Sequence, residues 1–138
     1  MRLLVACGTI VVISCATPQQ PTFSEGFELI VSDNPGMERF DLQLRGGTSP
    51  LCMGIDQWPD RLGRVAVGNQ RAVATTDNGR FPARGFNFGY CRGSSCTIRI
   101  PVRTQISGSV AYSEFPPEAG IRSSSSRRLE YMVHPYNC

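Results

Sequence analysis

Short segments with the alternation of β-strands recur along this chain, and no segment has the apolar spacing of a helix over three turns. In residues 40–45, apolar Phe40, Leu42 and Leu44 alternate with polar residues, as in an antiparallel strand with one buried face. Such segments follow one another about every ten residues, a spacing typical of sandwiches and barrels. We therefore predict an all-β fold, a small antiparallel β-sandwich of immunoglobulin-like type, with a small β-barrel as the alternative.

Turn residues indicate where the predicted strands begin and end. Asn78 and Gly79 favour a type I′ turn, which would reverse the chain between residues 72–75 and 80–83. Helix is expected only as single turns, near Trp58 and after two consecutive prolines. The other predicted strands cover residues 27–31, 51–55, 64–67 and 71–74 (paired as a hairpin about 68–70), 88–91, 96–100, 105–111 and 129–133.

Three alternating aromatic residues, Phe86, Phe88 and Tyr90, stand out within a glycine-rich segment. Alternation places side chains on one face of a strand, so we expect the three rings on one sheet face. We favour a covered face, where the rings belong to the core. If the face is exposed instead, it is a stacking or partner surface.

The first fifteen residues have the pattern of an export signal. Arg2 precedes an apolar run over residues 3–13, which is too short for a spanning helix of about 20 residues but long enough for a signal-peptide core. The tetrapeptide Val12-Ile13-Ser14-Cys15 then resembles the lipobox of bacterial lipoproteins. The resemblance implies that residues 1–14 are a lipoprotein signal peptide, and that Cys15 is acylated and becomes the N-terminus.

The same resemblance implies a location. Ala16 after the modified cysteine favours transfer to the periplasmic face of the outer membrane, whereas cleavage after Ala16 would leave a soluble periplasmic protein. Residues 15–22 would then carry the lipid and form a tether with two prolines, and residues 23–138 are long enough for a single β-domain. The membrane is therefore an expected partner through the N-terminal lipid, whose acyl chains supply about 0.8 kcal/mol for each buried CH₂.

Four cysteines remain beyond the leader and Cys15, and their number is even. In an oxidising compartment they favour two disulfides, for which three pairings exist. The sequence Arg-Gly-Ser-Ser at 92–95 forms turns readily, so we prefer a bond between Cys91 and Cys96, which leaves Cys52 to pair with Cys138. The spacing does not match a metal site, and we expect no metal and no cofactor.

The charge pattern argues against nucleic acid as a partner. The formal net charge is +3, all fourteen basic residues are arginines, and acidic residues are interspersed with them. Arg127 and Arg128, after four serines, form the one local basic spot. We expect a solvated loop there, with contact to anionic headgroups as the alternative.

Candidate catalytic groups are few. His134 is the single histidine and has no obvious partner, and no Gly-x-Ser-x-Gly motif is present. Asp56 and Asp60 flank Trp58 at a spacing that could pair two carboxylates for acid and base roles. We favour turn and cap residues around a packed tryptophan, with Asp56 as an N-cap, and we predict that the protein is not an enzyme.

The sequence as a whole predicts a non-enzymatic envelope lipoprotein. Its β-domain would serve a structural or protein-binding role at the outer membrane, with an envelope protein as partner. The alternative is a periplasmic inhibitor of a lysozyme or of a trypsin-like protease. Arg92 would act in either binding role, because a disulfide-closed loop presents a side chain that is already ordered.

Overall fold

The computed structural model describes residues 22–24, 26–68 and 70–138 of the chain. The predicted signal peptide, Cys15 and most of the tether lie outside the described residues. In the described part 43% of residues are in strands and 14% in short helices, none of which reaches seven residues. The prediction of an all-β fold is therefore confirmed.

The described residues form ten strands, arranged in three antiparallel sheets. The first sheet has four strands in the order β1-β2-β3-β8, the second has the order β10-β4-β7, and the third has the order β6-β5-β9. The strands are β1 (Thr22–Ser24), β2 (Phe27–Asn34), β3 (Arg39–Gly46), β4 (Leu51–Gly54), β5 (Ala72–Thr76), β6 (Gly79–Pro82), β7 (Thr97–Ile100), β8 (Gln105–Ala111), β9 (Arg128–Tyr131) and β10 (Tyr136–Asn137). Single 3₁₀ turns cover Pro35–Met37, Ile55–Gln57, Gly93–Cys96, Tyr112–Glu114 and Pro117–Ala119.

The alternation in β3 places its apolar residues on the buried face, as predicted. Phe40, Leu42 and Leu44 are almost completely buried. On the neighbouring strand β8, Val110 lies opposite Phe40 and Gly108 lies opposite Leu42. Because directly opposite residues share a face, these positions form one apolar wall of the interior.

All three sheets bury one face in a single hydrophobic core. The strands of the described part do not close into a barrel, so the sandwich prediction and not its barrel alternative matches the structure. The core includes Leu42 and Val110 from the first sheet, Met53 and Ile100 from the second, and Ala74 and Leu129 from the third.

The predicted chain reversal after β5 is confirmed, but its turn type is not. Thr76 pairs with Gly79 across a two-residue connection. A type I′ turn needs positive φ at both central residues, but neither Asp77 nor Asn78, which form this connection, has it. Positive φ occurs instead at Gly79, the first residue of β6, at 126°. The side chain of Asn78 instead donates to the carbonyl of Glu118, which ties the hairpin to a neighbouring loop.

The hairpin predicted about residues 68–70 is wrong. Strand β5 has β6 on one side and β9 on the other, so no edge of β5 is left for residues 64–67. Ala66 makes only an isolated parallel bridge with Phe86. Asn69, in the predicted turn, lies outside the described residues.

Two disulfides join Cys52 to Cys138 and Cys91 to Cys96, the pairing preferred from the sequence. Their Cα–Cα distances of 5.2 and 5.5 Å lie in the normal range. Strand β10 pairs with β4, and Tyr136 lies opposite Cys52. The Cys52–Cys138 disulfide therefore fixes the segment after β9 against the second sheet.

A polar latch of Asp33, Tyr112 and Arg127 ties β2 to the loop before β9. Asp33 accepts hydrogen bonds from the Tyr112 hydroxyl and from the Arg127 guanidinium, and Arg127 also donates to the carbonyl of Ser124. Burial and the bond to Asp33 raise the pKa of Tyr112. The side chain of Arg127 is only 16% exposed, so the expected solvated pair is wrong for Arg127, although Arg128 is exposed.

Candidate functional site

The segment with three aromatic residues is exposed, which corrects the favoured prediction of a covered sheet face. Phe86, Phe88 and Tyr90 are 40%, 36% and 86% exposed. Residues 88–91 do not form a strand, because Gly85 and Gly89 have φ values of 79° and 76°, which interrupt an extended path. The structure therefore matches the alternative that the rings form an exposed surface.

The Cys91–Cys96 disulfide closes the chain directly after these rings. Gly93 has a φ of 69° and begins the 3₁₀ turn Gly93–Cys96. Inside the ring, the Ser95 hydroxyl donates to the carbonyl of Arg92 at 2.8 Å. The disulfide and this internal hydrogen bond both hold the loop.

An open groove of about 530 Å³ lies beside this loop. We call the exposed side chains in and next to it the aromatic–arginine surface, consisting of Ile55, Phe86, Phe88, Tyr90 and Arg92. The groove itself is lined by Ile55, Phe88, Tyr90, Cys91, Arg92 and Ser95. Its apolar walls and single cation are the combination expected of a binding site for a partly apolar ligand.

Cation–π and ring contacts order this surface. The Arg92 guanidinium carbon lies 5.4 Å from the centre of the Tyr90 ring, and that of Arg64 lies 3.8 Å from the centre of Phe86. Phe86 and Phe88 meet edge to face at 5.6 Å between ring centres. Such contacts contribute about 0.5–1 kcal/mol each at exposed sites, so they favour one arrangement of the rings.

The charge within the groove is positive, because Arg92 is the one charged side chain among its lining residues. In sequence, residues 78–113 contain five arginines and no aspartate or glutamate. Arg64 forms an ion pair with Asp60 at 2.7 Å, whereas no ion pair involves Arg92 or Arg99 within the described residues. Arg92 is therefore a cation whose partner could come from another molecule.

The backbone at Arg92 is extended, but the extended path does not continue. Arg92 has φ −126° and ψ 141°, and the 3₁₀ turn begins at the next residue. A protease that recognises arginine binds an inhibitor loop as an extended strand through its active site, with the arginine in the specificity pocket. The turn after Arg92 fits that mode poorly, and the exposed rings before Arg92 fit a broader contact surface.

A second, polar groove of about 650 Å³ contains one of the two carboxylates that the sequence suggested for catalysis. Asp60 accepts hydrogen bonds from the backbone N–H groups of Leu62 and Arg64, both at 2.9 Å, and from the Arg64 guanidinium at 2.7 Å. Asp41, in the same groove, accepts from Asn34 and Arg39. These hydrogen bonds engage the carboxylates of Asp41 and Asp60 in fixing local structure.

The interpretation of Asp56 as an N-cap needs correction. Gly54 occupies the cap position of the turn Ile55–Gln57, and Asp56 lies inside the turn. A side-chain oxygen of Asp56 folds back against the Cα side of Gly54, where a Cβ would clash with it. Only glycine leaves room for this conformation of Asp56.

Asp60 leads to a pH-dependent prediction. Burial alone would raise the pKa of Asp60, but the hydrogen bonds from Arg64 and Leu62 outweigh it and hold the pKa below its ordinary value of 3.8. The stability gained from the carboxylate is therefore present above about pH 4 and lost as the pH falls. We expect Asp60→Asn to lower the free energy of unfolding by about 1.5 kcal/mol at pH 7 and by clearly less at pH 2.

Urea denaturation at both pH values measures this effect. Asp56→Asn is the control, because the Asp56 side chain accepts no hydrogen bond in the described part of the chain. An equal loss for Asp60→Asn at pH 7 and pH 2 would contradict the assigned role of the charge.

His134 lines neither of these two grooves. It is exposed and follows β9, and its backbone N–H donates to the Gln57 side chain at 2.8 Å. Within the described residues no group of three or more His, Cys, Asp and Glu side chains is placed to hold a metal ion. In the same part of the chain, no helix has the length and apolarity needed to cross a membrane.

Comparisons with protein-family models, with curated proteins and with solved structures give no match to this chain. Sequence reasoning singled out Arg92 but assigned the rings before it to the core. Glycines on both sides of Phe86 and Phe88 were the signal that could have indicated a loop.

Proposed function

We propose that this protein is an exported, lipid-anchored β-domain of a bacterial envelope that binds another envelope protein through the aromatic–arginine surface and has no catalytic role. The observation that carries the proposal is an exposed aromatic cluster, 86% exposed at Tyr90, beside an arginine on a disulfide-closed loop. Aromatic residues and arginine are enriched at protein interfaces, and tyrosine and arginine are also enriched among hot spots.

The order of the loop supports a binding role. Association costs about 0.5–1.5 kcal/mol for each side chain that must be immobilised. The disulfide and the contact of Arg92 with Tyr90 hold these groups before a partner arrives. The partner would therefore meet an arrangement that needs little further ordering.

The disulfides and the leader support the proposed compartment. Disulfides persist in oxidising compartments such as the periplasm, and all four cysteines of the described residues are paired. The leader supplies an export signal with Cys15 as the acceptor of the lipid. More than one acyl chain on Cys15 would give stable anchoring, since a single chain gives only marginal binding.

Photo-crosslinking in the intact bacterium tests the binding role. We expect the full chain with benzoylphenylalanine at position 90 to give one discrete adduct with an envelope protein. Arg92→Ala should abolish the adduct, because the guanidinium belongs to the same surface. The matched control carries the photo-probe at Met37, which is 61% exposed and lies in the turn between β2 and β3.

Two results would contradict the binding role. The same adducts from positions 90 and 37 would show non-selective contact. Inhibition of trypsin by the wild-type protein but not by Arg92→Ala would identify the protease-inhibitor alternative instead, and inhibition of lysozyme would identify the other inhibitor class.

The anchor is tested in the same cells by the intact mass of the protein and by its distribution between fractions. We expect an acylated chain that begins at Cys15 and lies in the outer-membrane fraction, and we expect Cys15→Ser to remove the lipid. A soluble chain that begins at Thr17 would instead show cleavage after Ala16.

A further inference from the structure

The aromatic–arginine surface also indicates what its partner carries, an inference that rests on the proposed binding role. Among the residues that line the groove, Arg92 is the one charged side chain. Arg99 follows the disulfide loop on β7, is exposed, and forms no ion pair within the described residues. The groove therefore offers positive charge next to apolar walls.

Acidic groups near the groove do not neutralise this charge. No aspartate or glutamate occurs in residues 78–113, and the carboxylate of Asp56, beside Ile55, folds back toward Gly54. Asp60 is fully engaged with Arg64 and with backbone N–H groups. A carboxylate for Arg92 would therefore have to come from outside the described part of the chain.

The position of Arg92 leaves its donors usable. No hydrogen bond or ion pair engages the Arg92 guanidinium within the described residues, so its N–H groups are free to bond a carboxylate. Arginine and carboxylate commonly form two parallel hydrogen bonds, which add specificity to the charge attraction. Ile55 and Phe88 lie in the same groove and offer an apolar contact beside it.

We propose that the groove takes an acidic peptide segment of the partner, in which one carboxylate pairs with Arg92 and a neighbouring apolar or aromatic side chain packs against Ile55 and Phe88. The segment must carry the carboxylate and the apolar or aromatic side chain together. Acidic charge alone would be attracted by any exposed arginine, and an apolar side chain alone would leave the cation unpaired.

Binding of defined polymers to the mature, detergent-solubilised protein tests this chemistry. The probes are a fluorescent random copolymer of glutamate and tyrosine, polyglutamate and polylysine. We expect the copolymer to bind more tightly than polyglutamate, polylysine not to bind, and the affinity to fall as salt rises, because exposed ion pairs are screened. Arg92→Gln and Tyr90→Ala should each lower the affinity for the copolymer about tenfold.

The matched control is Arg103→Gln. Arg103 is also exposed and unpaired in the described part, but it lines a different groove, so its removal changes the net charge equally. We expect it to keep wild-type affinity. An equal loss for Arg103→Gln and Arg92→Gln would reduce the effect to net charge and overturn the proposal.

The remaining outcomes separate this inference from the binding role itself. If the copolymer does not bind while the adduct at position 90 still forms, the acidic-segment proposal fails and the protein-binding role stands. If neither copolymer binding nor the adduct at position 90 is observed, the acidic-segment proposal and the protein-binding role both fail. Binding to phosphatidylglycerol vesicles that depends on Arg92, without binding to the copolymer, would replace the peptide by a lipid surface.

Discussion

Removal of the disulfide between Cys52 and Cys138 is expected to lower the free energy of unfolding by about 4–5 kcal/mol. The bond joins residues 86 apart in sequence, and closing a loop of that length in the unfolded chain corresponds to about 4.6 kcal/mol in the chain-entropy treatment. Domains of this size are commonly stable by only about 5–15 kcal/mol, so the loss would remove a large part of the total.

Local structure adds to this expectation. Strand β10 has two residues and pairs only through Tyr136 and Asn137 with β4. Without the covalent bond these pairs are too few to hold the segment, since short unsupported strands fray. In a variant that lacks this disulfide, the segment after β9 should therefore lose its order even where the rest of the domain stays folded.

Chemical denaturation of Cys52→Ala/Cys138→Ser against the wild type measures the effect. The comparison variant is Cys91→Ser/Cys96→Ser, whose ring spans only five positions and is worth about 2 kcal/mol by the same treatment. If the comparison variant loses as much stability as the Cys52→Ala/Cys138→Ser variant, loop length does not determine how much each disulfide contributes to stability.

The second large effect is expected at the contact between Trp58 and Gly108. Trp58 is only 7% exposed and packs edge to face on Tyr131, with ring centres 6.2 Å apart. A Cβ on Gly108 would lie 2.7 Å from the indole nitrogen and 2.9 Å from Cε2 of Trp58. The φ of Gly108 is not positive, so glycine is needed there for space and not for backbone conformation.

We expect Trp58→Ala to lower the free energy of unfolding by about 3–5 kcal/mol through the cavity that it leaves. Gly108→Ala should cost about 2–3 kcal/mol, because the buried indole must shift within a packed core. In a Trp58→Phe background, Gly108→Ala should cost less, since the smaller ring relieves the clash.

Thermal and chemical denaturation check these values. Gly36→Ala is the matched control, because an added Cβ there meets only one atom within 4 Å, at 3.8 Å, and Gly36 also lacks a positive φ. A Gly108→Ala variant as stable as Gly36→Ala would show that the indole does not restrict this position.

Local patterns predicted the strands well where pattern and burial coincide. The alternation about Phe40 gave the buried face of β3, and residues 105–111 form β8 with the predicted bounds. Local sequence patterns could not predict the order of the strands within each sheet. Tyr131 pairs with Ala72, which is distant from it in sequence, and such pairings depend on how the sheets pack together.

The candidate site was predicted only in part. Arg92 and its disulfide followed from spacing, whereas the exposure of Phe88 and Tyr90 did not, because alternation looks the same for a strand and for a loop broken by positive-φ glycines. The partly buried position of Arg127 could not be predicted either. Its carboxylate partner, Asp33, lies 94 residues away in sequence.

The common interior of the three sheets has a consequence for how the molecule opens. Each sheet supplies one wall of the same core, so none of them retains a covered apolar face when the others leave. A sheet whose apolar face is exposed to water is unstable, because the free energy gained by burying that face is lost. The strands should therefore melt together in one cooperative step, and partly opened forms that expose a single sheet should stay scarce.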